Sequence, residues 1–154
     1  MTKTNVMKIL EQKKIPYNFY EYNPETTDGM EVAKSLGEDP TQVFKTLVTT
    51  DSQNHFFVFV IPVSKTLDLK GVAKIVNKKS IDMIKQKELF PLTGYIHGGC
   101  SPIGMKKKFV TYFDTSINNY EEIFVSAGRV GVQIKIKVTD LIKITDGQIG
   151  DLTL

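Results

Sequence analysis

Cysteine is almost absent from this chain of 154 residues, in which Cys100 is the only one. One thiol excludes an internal disulfide and is typical of proteins that stay in a reducing compartment. No apolar run approaches the roughly 20 residues that a membrane-spanning helix needs. The N-terminal residues lack both the uninterrupted apolar core and the small-residue cleavage site of a signal peptide. These absences predict a cytoplasmic location and no membrane partner.

Arginine is equally scarce, since Arg129 is the only one among 20 basic residues and the formal net charge is +3. Lysine is a mobile point charge without the planar fork with which arginine reads base edges. Sequence-specific recognition of DNA is therefore not expected, and no DNA partner is predicted. Loose contact with RNA phosphates stays open, and the alternative is a general solubility surface.

Metal ligands and motifs of catalysis are also few. His97 and Cys100 lie three residues apart, but His55 is the only other soft ligand, so no metal site is predicted. A cysteine nucleophile would need a histidine base and an orienting acid, and Cys100 has no such pattern around it. The spacing of Gly98, Gly99 and Gly104 matches neither a phosphate-binding loop nor a dinucleotide motif. No cofactor is predicted either.

The residues that are present indicate one globular domain over residues 1–154, with 41% hydrophobic and 24% charged residues. The order of elements is mixed, without regular strand–helix alternation, which favours an α+β fold with a curved mixed sheet and short helices around it. The strands at 45–50 and 55–63 are predicted to form a hairpin at the sheet centre. Periodicity predicts further strands at 15–22, 80–84, 109–113, 122–126 and 132–138. It predicts helices at 5–13, 31–36, 67–76 and 139–144, and a helical turn at 85–90 that Pro91 stops. Residues 127–131 are predicted to form a loop, and the C-terminal tail is predicted to be loose.

Residues 94–108, GYIHGGCSPIGMKKK, follow neither helical nor strand periodicity. Their four glycines permit positive φ angles and a close approach to bare main chain. Exposed N–H donors in such a loop suit the oxygen-rich end of a ligand. A plain glycine-rich turn explains the pattern equally well.

Lys45 places a single charge at the entrance of a buried strand. Such a lysine usually extends its ammonium group to solvent. The functional alternative is a cation held at the mouth of a pocket.

Several segments, taken in order, resemble the YbaK/EbsC family, whose members are free-standing relatives of the editing domain inserted in bacterial prolyl-tRNA synthetases. The pairing of the strand Val43-Phe44-Lys45-Thr46-Leu47 with the loop Gly98-Gly99-Cys100-Ser101-Pro102-Ile103-Gly104 carries the resemblance. LDLKGVA at 67–73, TGY at 93–95 and VSAGR at 125–129 extend it over essentially the whole chain.

The resemblance implies a partly barrel-like α+β domain that deacylates the 3′ end of mischarged tRNA, chiefly Cys-tRNA(Pro) and also Cys-tRNA(Cys). It further implies that the thiol of the substrate attacks its own ester, and that a partner such as prolyl-tRNA synthetase selects the tRNA. The implied catalytic residue is Lys45. The implied substrate-binding residues are Tyr22, Thr46, Gly98, Gly99, Cys100, Ser101, Pro102, Ser126 and Gly128.

Four residues, at three places in the chain, depart from the family pattern. Gln133 stands where an acidic residue is expected, His97 replaces an apolar residue, and Thr27-Asp28 differ from the family stretch near the pocket. Two alternatives therefore stay open beside cysteine removal. One is a deacylase that uses water to remove another small amino acid such as alanine, and the other is a module that binds tRNA or a synthetase without turnover.

Overall fold

The structure of the protein is a computed structural model that covers residues 2–154, and its fold is α+β as predicted. Five α-helices are present in these residues: α1 (Asn5–Gln12), α2 (Gly29–Leu36), α3 (Leu69–Ile75), α4 (Gln86–Thr93) and α5 (Val138–Thr145). The strands are β1 (Tyr17–Glu21), β2 (Phe44–Thr50), β3 (Phe56–Pro62), β4 (Asp82–Met83), β5 (Val110–Asp114), β6 (Glu122–Arg129), β7 (Val132–Lys137) and β8 (Gln148–Gly150), and a 3₁₀ turn spans Thr115–Asn119.

The strands form two sheets that meet along one edge. A mixed five-stranded sheet has the order β4-β2-β3-β5-β8, and an antiparallel three-stranded sheet has the order β1-β7-β6. A parallel bridge between Val43 and Phe124 joins them, and the Phe124 amide donates a hydrogen bond to the Gln42 carbonyl at 3.1 Å. The two sheets do not close into a barrel. This junction is important because the candidate site lies beside it.

The hairpin β2–β3 lies at the centre of the larger sheet, as predicted, and β3 is covered on both faces. Val58 and Val60 pack into the core between the two sheets, whereas Phe59 and Ile61 pack into a second core under α3. A strand buried on both faces reads as a continuous apolar run. This explains why the sequence FFVFVIP does not alternate.

Side-chain caps fix the starts of α1 and α2, and α2 begins at Gly29, two residues before the predicted start. The Thr4 hydroxyl accepts a hydrogen bond from the Met7 amide at 3.2 Å, and the Asp28 carboxylate accepts one from the Glu31 amide at 3.2 Å. Gly37 ends α2 in the left-handed conformation. Asp28 therefore fixes where α2 starts, and this start lines the cavity described below.

Helix α4 does not stop at Pro91, contrary to the sequence prediction. The helix contains Pro91 and continues to Thr93, and Gly94 then ends it with φ of 82°. Proline removes one amide donor near the helix end. Two other hydrogen bonds hold the last turn: the Thr93 hydroxyl donates to the Leu89 carbonyl at 2.7 Å, and the Gly94 amide donates to the Phe90 carbonyl at 2.8 Å.

Strand β6 continues into the predicted loop at 127–131. It reaches Arg129, and its register with β7 shifts between Ser126 and Arg129. Gly128 has φ of 94° at this irregularity, a conformation that glycine adopts without strain. The glycines at these positions mark a bulge within the strand. In the sequence, a bulge has the same pattern as a loop, which explains the incorrect prediction.

The C-terminal tail is packed, which corrects the prediction that it is loose. Strand β8 pairs in parallel with β5, and Thr153 forms a bridge with Leu67. The Leu152 amide donates to the Asp114 carboxylate at 3.0 Å, and the Leu152 side chain is fully buried in the core under α3. Three residues of strand carry too little periodicity to be recognised, and long-range contacts hold them in place.

Truncating Leu152 should therefore destabilise the protein. Leu152→Ala is expected to lower the free energy of unfolding by about 2–3 kcal/mol, because it leaves a cavity in the second core. Leu154→Ala is the matched control, since Leu154 is 80% exposed and should change stability by less than about 0.5 kcal/mol. Chemical denaturation of both variants tests this, and equal midpoints would show that the tail does not contribute to the core.

The helices described in residues 2–154 are all too short or too polar to cross a lipid bilayer.

Candidate functional site

A cavity of about 420 Å³ lies next to the junction of the two sheets. Strand β2 forms one wall with residues 43–48, and the start of α2 forms another with residues 27–29. The hairpin β6–β7 contributes Ser126 and Gln133, which face each other across the two strands. Residues of β4, α4 and the glycine-rich loop complete the lining. The site is thus built from segments that are far apart in the sequence.

Six of the ten predicted site residues line this cavity, and four do not. The lining residues are Lys45, Tyr22, Thr46, Gly98, Cys100 and Ser126. The four residues that lie outside the lining are Gly99, Ser101, Pro102 and Gly128. Lys45 and the glycine-rich loop, which are far apart in the sequence, therefore line the same cavity.

The residues outside the lining shape the loops behind it. The Gly99 amide donates to the Ile96 carbonyl at 2.9 Å, and a Cβ atom at Gly99 would come within 3.0 Å of the Val130 main chain. The Ser101 side chain is fully buried and accepts a hydrogen bond from the Ile103 amide at 3.3 Å. The amides of Gly98 and Cys100, by contrast, donate no hydrogen bond within residues 2–154.

Gly98 closes the cavity against the start of α2. Its φ is +87°, and a Cβ atom added there would lie 2.9 Å from the Thr27 side chain. Both the backbone conformation and the space therefore require glycine at this position. The glycine-rich loop can approach Thr27 only because residue 98 has no side chain.

Lys45 is a half-buried cation without a partner in the described chain. It lies at the start of β2, opposite Ile61, and is one of the residues that line the cavity. No carboxylate of residues 2–154 lies within the 4.0 Å of an ion pair. The start of α2 lines the same cavity through Asp28 and Gly29, where the Asp28 carboxylate caps the helix and offsets the positive end of its dipole. The positive charge of Lys45 is therefore the feature that favours an oxygen-rich or anionic ligand.

Three buried polar atoms have no hydrogen-bond partner in residues 2–154, and all three belong to residues that line this cavity. They are the Tyr22 hydroxyl, Thr46 Oγ1 and Gln133 Oε1. Tyr22 and Gln133 are 9% and 6% exposed. A buried polar group without a partner costs roughly 1–3 kcal/mol, so native proteins seldom retain one without a reason. Their occurrence in one lining makes the cavity the candidate site for a polar ligand.

Gln133 lines the cavity, although the sequence analysis noted it only as a departure from the family pattern. It shares a face of β7 with Lys135 and Lys137, and on that face it is buried between Tyr20 of β1 and Ser126 of β6. An uncharged amide among the lysines of that face was the available signal. Gln86 and Leu89 were missed, because only the fold brings them to the cavity.

Cys100 lines the cavity but is a poor nucleophile. Burial raises the pKa of its thiol to about 12, so the thiol remains protonated at neutral pH. Within residues 2–154, no three side chains of histidine, cysteine, aspartate or glutamate come together in a way that would hold a metal ion. The lining also contains Asp28 and His97, so the polar groups present at the site are Lys45, these two side chains, backbone amides and uncharged hydroxyl and amide groups.

Comparisons with known proteins point in one direction. The sequence model of the family described as "Aminoacyl-tRNA editing domain" matches residues 23–144. A protein of Enterococcus faecalis, provisionally named the Cys-tRNA(Pro)/Cys-tRNA(Cys) deacylase EbsC, is 43% identical over 153 residues, which are 98% of this chain and 93% of that protein.

Solved structures show the same fold at low identity. The crystal structure of a proposed trans-editing enzyme for prolyl-tRNA synthetase has a TM-score of 0.87 at 22% identity and covers 99% of each chain. That of the hypothetical protein APE2540 has a TM-score of 0.89 at 20% identity, over 98% of this chain and all of that one. Both likenesses concern the fold.

Proposed function

Because this chain belongs to the aminoacyl-tRNA editing domain family, we propose that it is a trans-acting deacylase that removes cysteine from mischarged Cys-tRNA(Pro), with Cys-tRNA(Cys) as a second substrate. The identity of 43% to EbsC confirms the resemblance to YbaK/EbsC proteins. One observation carries the proposal: the cavity brings the unpaired cation of Lys45 together with the three polar atoms that lack partners in residues 2–154. An aminoacyl ester on a ribose presents complementary groups to both.

The three unpartnered atoms fit the aminoacyl end of tRNA. Gln133 Oε1 can only accept a hydrogen bond, so its ligand must bring a donor. The α-ammonium group is the strongest donor on an aminoacyl ester, and we assign it to Gln133. The hydroxyls of Tyr22 and Thr46 both donate and accept, which suits the ribose 2′-hydroxyl and the ester oxygens.

Lys45 and the free amides of the glycine-rich loop supply positive charge to the ester. As a nucleophile attacks, negative charge develops on the carbonyl oxygen, and preorganised donors in a shielded site stabilise it. Lys45 with the amides of Gly98 and Cys100 forms such a set. If Lys45 instead binds the terminal phosphate, its removal raises KM more than it lowers kcat.

The nucleophile in this proposal is the thiol of the substrate. Its sulfur forms a bond to the ester carbonyl carbon, the bond from that carbon to the ribose oxygen breaks, and the thiol proton passes to the released ribose hydroxyl. The products are a cyclic thiolactone and intact tRNA. The protonated state of Cys100 agrees with a mechanism in which the substrate supplies the nucleophile, while the protein positions the ester and stabilises its charge.

Loss of the cysteinyl ester from Cys-tRNA(Pro) in the presence of purified protein is the direct test. A shortened ester half-life with repeated turnover is expected. An unchanged half-life together with rapid loss of alanine from Ala-tRNA(Pro) would indicate the water-dependent deacylase instead. Binding of charged tRNA without turnover of any ester would indicate a non-catalytic module.

We also propose that prolyl-tRNA synthetase selects the tRNA for this protein. The support is compositional: the chain has one arginine and a net charge of +3, which provides little means of reading tRNA bases. Adding the synthetase should raise the rate on Cys-tRNA(Pro) relative to Cys-tRNA(Cys). An unchanged ratio of the two rates would contradict this partnership.

Tyr22→Phe should separate stability from activity. It removes a buried hydroxyl that has no partner in residues 2–154, so the free protein should gain about 1 kcal/mol of stability, while kcat/KM should fall roughly tenfold because the substrate loses a hydrogen bond. Tyr17→Phe is the control, because the Tyr17 hydroxyl donates to Glu11 at 2.6 Å, outside the cavity. It should lose stability and retain activity. Thermal unfolding and deacylation assays measure both, and a Tyr22→Phe variant that is less stable would contradict the assignment.

A further inference from the structure

Three exposed large apolar side chains lie on segments that contribute residues to the cavity. Met83 lines the cavity and is 44% exposed. Phe90 is 60% exposed and lies on α4 one turn after Gln86 and next to Leu89, both of which line the cavity. Ile96 is 58% exposed and directly precedes the lining residues His97 and Gly98.

The positive charge of the chain is concentrated around these side chains. Residues 82–108 contain five lysines and two acidic residues, an excess of +3 that equals the formal net charge of the whole protein. The remaining residues are therefore neutral on balance. Lys108 pairs with Asp146, whereas the exposed Lys85, Lys87, Lys106 and Lys107 have no carboxylate within 4.0 Å in residues 2–154.

Lys106 lies beside the end of the helix that carries Phe90. Its amide donates to the carbonyl of Thr93, the last residue of α4, at 2.9 Å. The loop that carries the lysines is thus fixed against the end of the helix that carries Phe90. We call the surface formed by Met83, Lys85, Lys87, Phe90, Ile96 and Lys106 the outer rim.

We propose that the outer rim binds the unpaired nucleotides that precede the terminal adenosine of the tRNA acceptor end. The inference rests on the proposed function, because a cavity of about 420 Å³ has room for one aminoacylated nucleoside and leaves the nucleotides before it outside. An aromatic side chain that stacks on a base, here Phe90, combined with lysines that follow the phosphates, is the combination that binds single-stranded RNA without reading its sequence. Met83 and Ile96 add apolar contact beside it. The near absence of arginine agrees with this mode.

Binding of a short uncharged RNA ending in CCA tests the rim without requiring turnover. Phe90→Ala should weaken the affinity roughly tenfold through the loss of base stacking. Phe19→Ala is the matched control, because Phe19 is 48% exposed on β1, a strand that contributes no residue to the cavity. Fluorescence anisotropy measures both. Equal affinities of the Phe90→Ala variant and the wild type would overturn the proposal.

The binding of phosphates by the rim has a separate readout. A Lys85→Ala/Lys106→Ala variant should reduce the slope of log affinity against log salt by about 0.7 for each phosphate that is no longer neutralised. Lys13→Ala/Lys14→Ala, on the segment after α1, should leave that slope unchanged. A rim that serves a protein partner would leave both the slope and the Phe90 affinity unchanged, which would also overturn the proposal.

Deacylation kinetics distinguish failure of the rim from failure of the proposed function. On Cys-tRNA(Pro), Phe90→Ala should raise KM and leave kcat near the wild-type value. Wild-type kinetics of this variant, beside an inactive Lys45→Ala variant, would reject the rim and retain the deacylase. RNA binding that depends on Phe90 in a protein without turnover would retain the rim and reject the deacylase.

Discussion

Lys45→Ala is expected to lower kcat/KM for Cys-tRNA(Pro) by about 100- to 1,000-fold, the usual cost of removing one charge-stabilising donor from a shielded site. Lys45 lines the cavity without an ion-pair partner in the described chain, so its charge is available to the substrate. The same absence means that the variant loses no ion pair on folding. Its stability should stay close to that of the wild type, and the loss of activity should therefore not reflect unfolding.

Two further variants make this measurement specific. Lys45→Arg keeps the charge but changes its shape and reach, and it should recover part of the rate. Lys70→Ala removes a lysine from the exposed side of α3, outside the cavity, and should behave as the wild type. Steady-state deacylation over a range of Cys-tRNA(Pro) concentrations gives kcat and KM separately for each protein. Full activity of Lys45→Ala would remove the central element of the proposed mechanism.

Local signals were enough to predict the elements that depend on neighbouring residues. The caps of α2, the hairpin β2–β3 and the α+β class all follow from short-range patterns in the chain. Strand β8 was missed, because its three residues are held by pairing with β5 and by the packing of Leu152 beside Asp114 and in the core under α3. Such long-range pairing leaves no period in the sequence.

The candidate site shows the same difference between residues that local sequence identifies and residues that only the fold identifies. Lys45 and Gly98 belong to sequence motifs, and both line the cavity. A motif does not reveal which of its members touch a ligand, and Gly99 and Ser101 instead support the loop behind the lining. Gln133 lies within a regular alternating strand, where only burial between Tyr20 and Ser126 distinguishes it from an exposed residue.

The amino acid on the tRNA should determine whether the reaction occurs. From one tRNA(Pro), the protein is expected to release cysteine at least about 1,000-fold faster than serine, because an intramolecular thiol is both well placed and intrinsically nucleophilic. Serine is the sharpest comparison, since it replaces the sulfur by oxygen and nearly preserves the shape. Both should fit the cavity and compete for binding, so the difference should appear in kcat.

The protein thiol provides the control for this prediction. Cys100→Ala should retain most of the activity on Cys-tRNA(Pro), because the Cys100 thiol has a pKa of about 12 and stays protonated. Acid-quench assays on Cys-, Ser- and Ala-charged tRNA(Pro) measure the ratios, and trapping of the released product identifies the thiolactone. Equal rates for cysteine and serine would make water the nucleophile. Loss of turnover in Cys100→Ala, with the fold intact, would indicate that the nucleophile is the Cys100 thiol and not the substrate thiol.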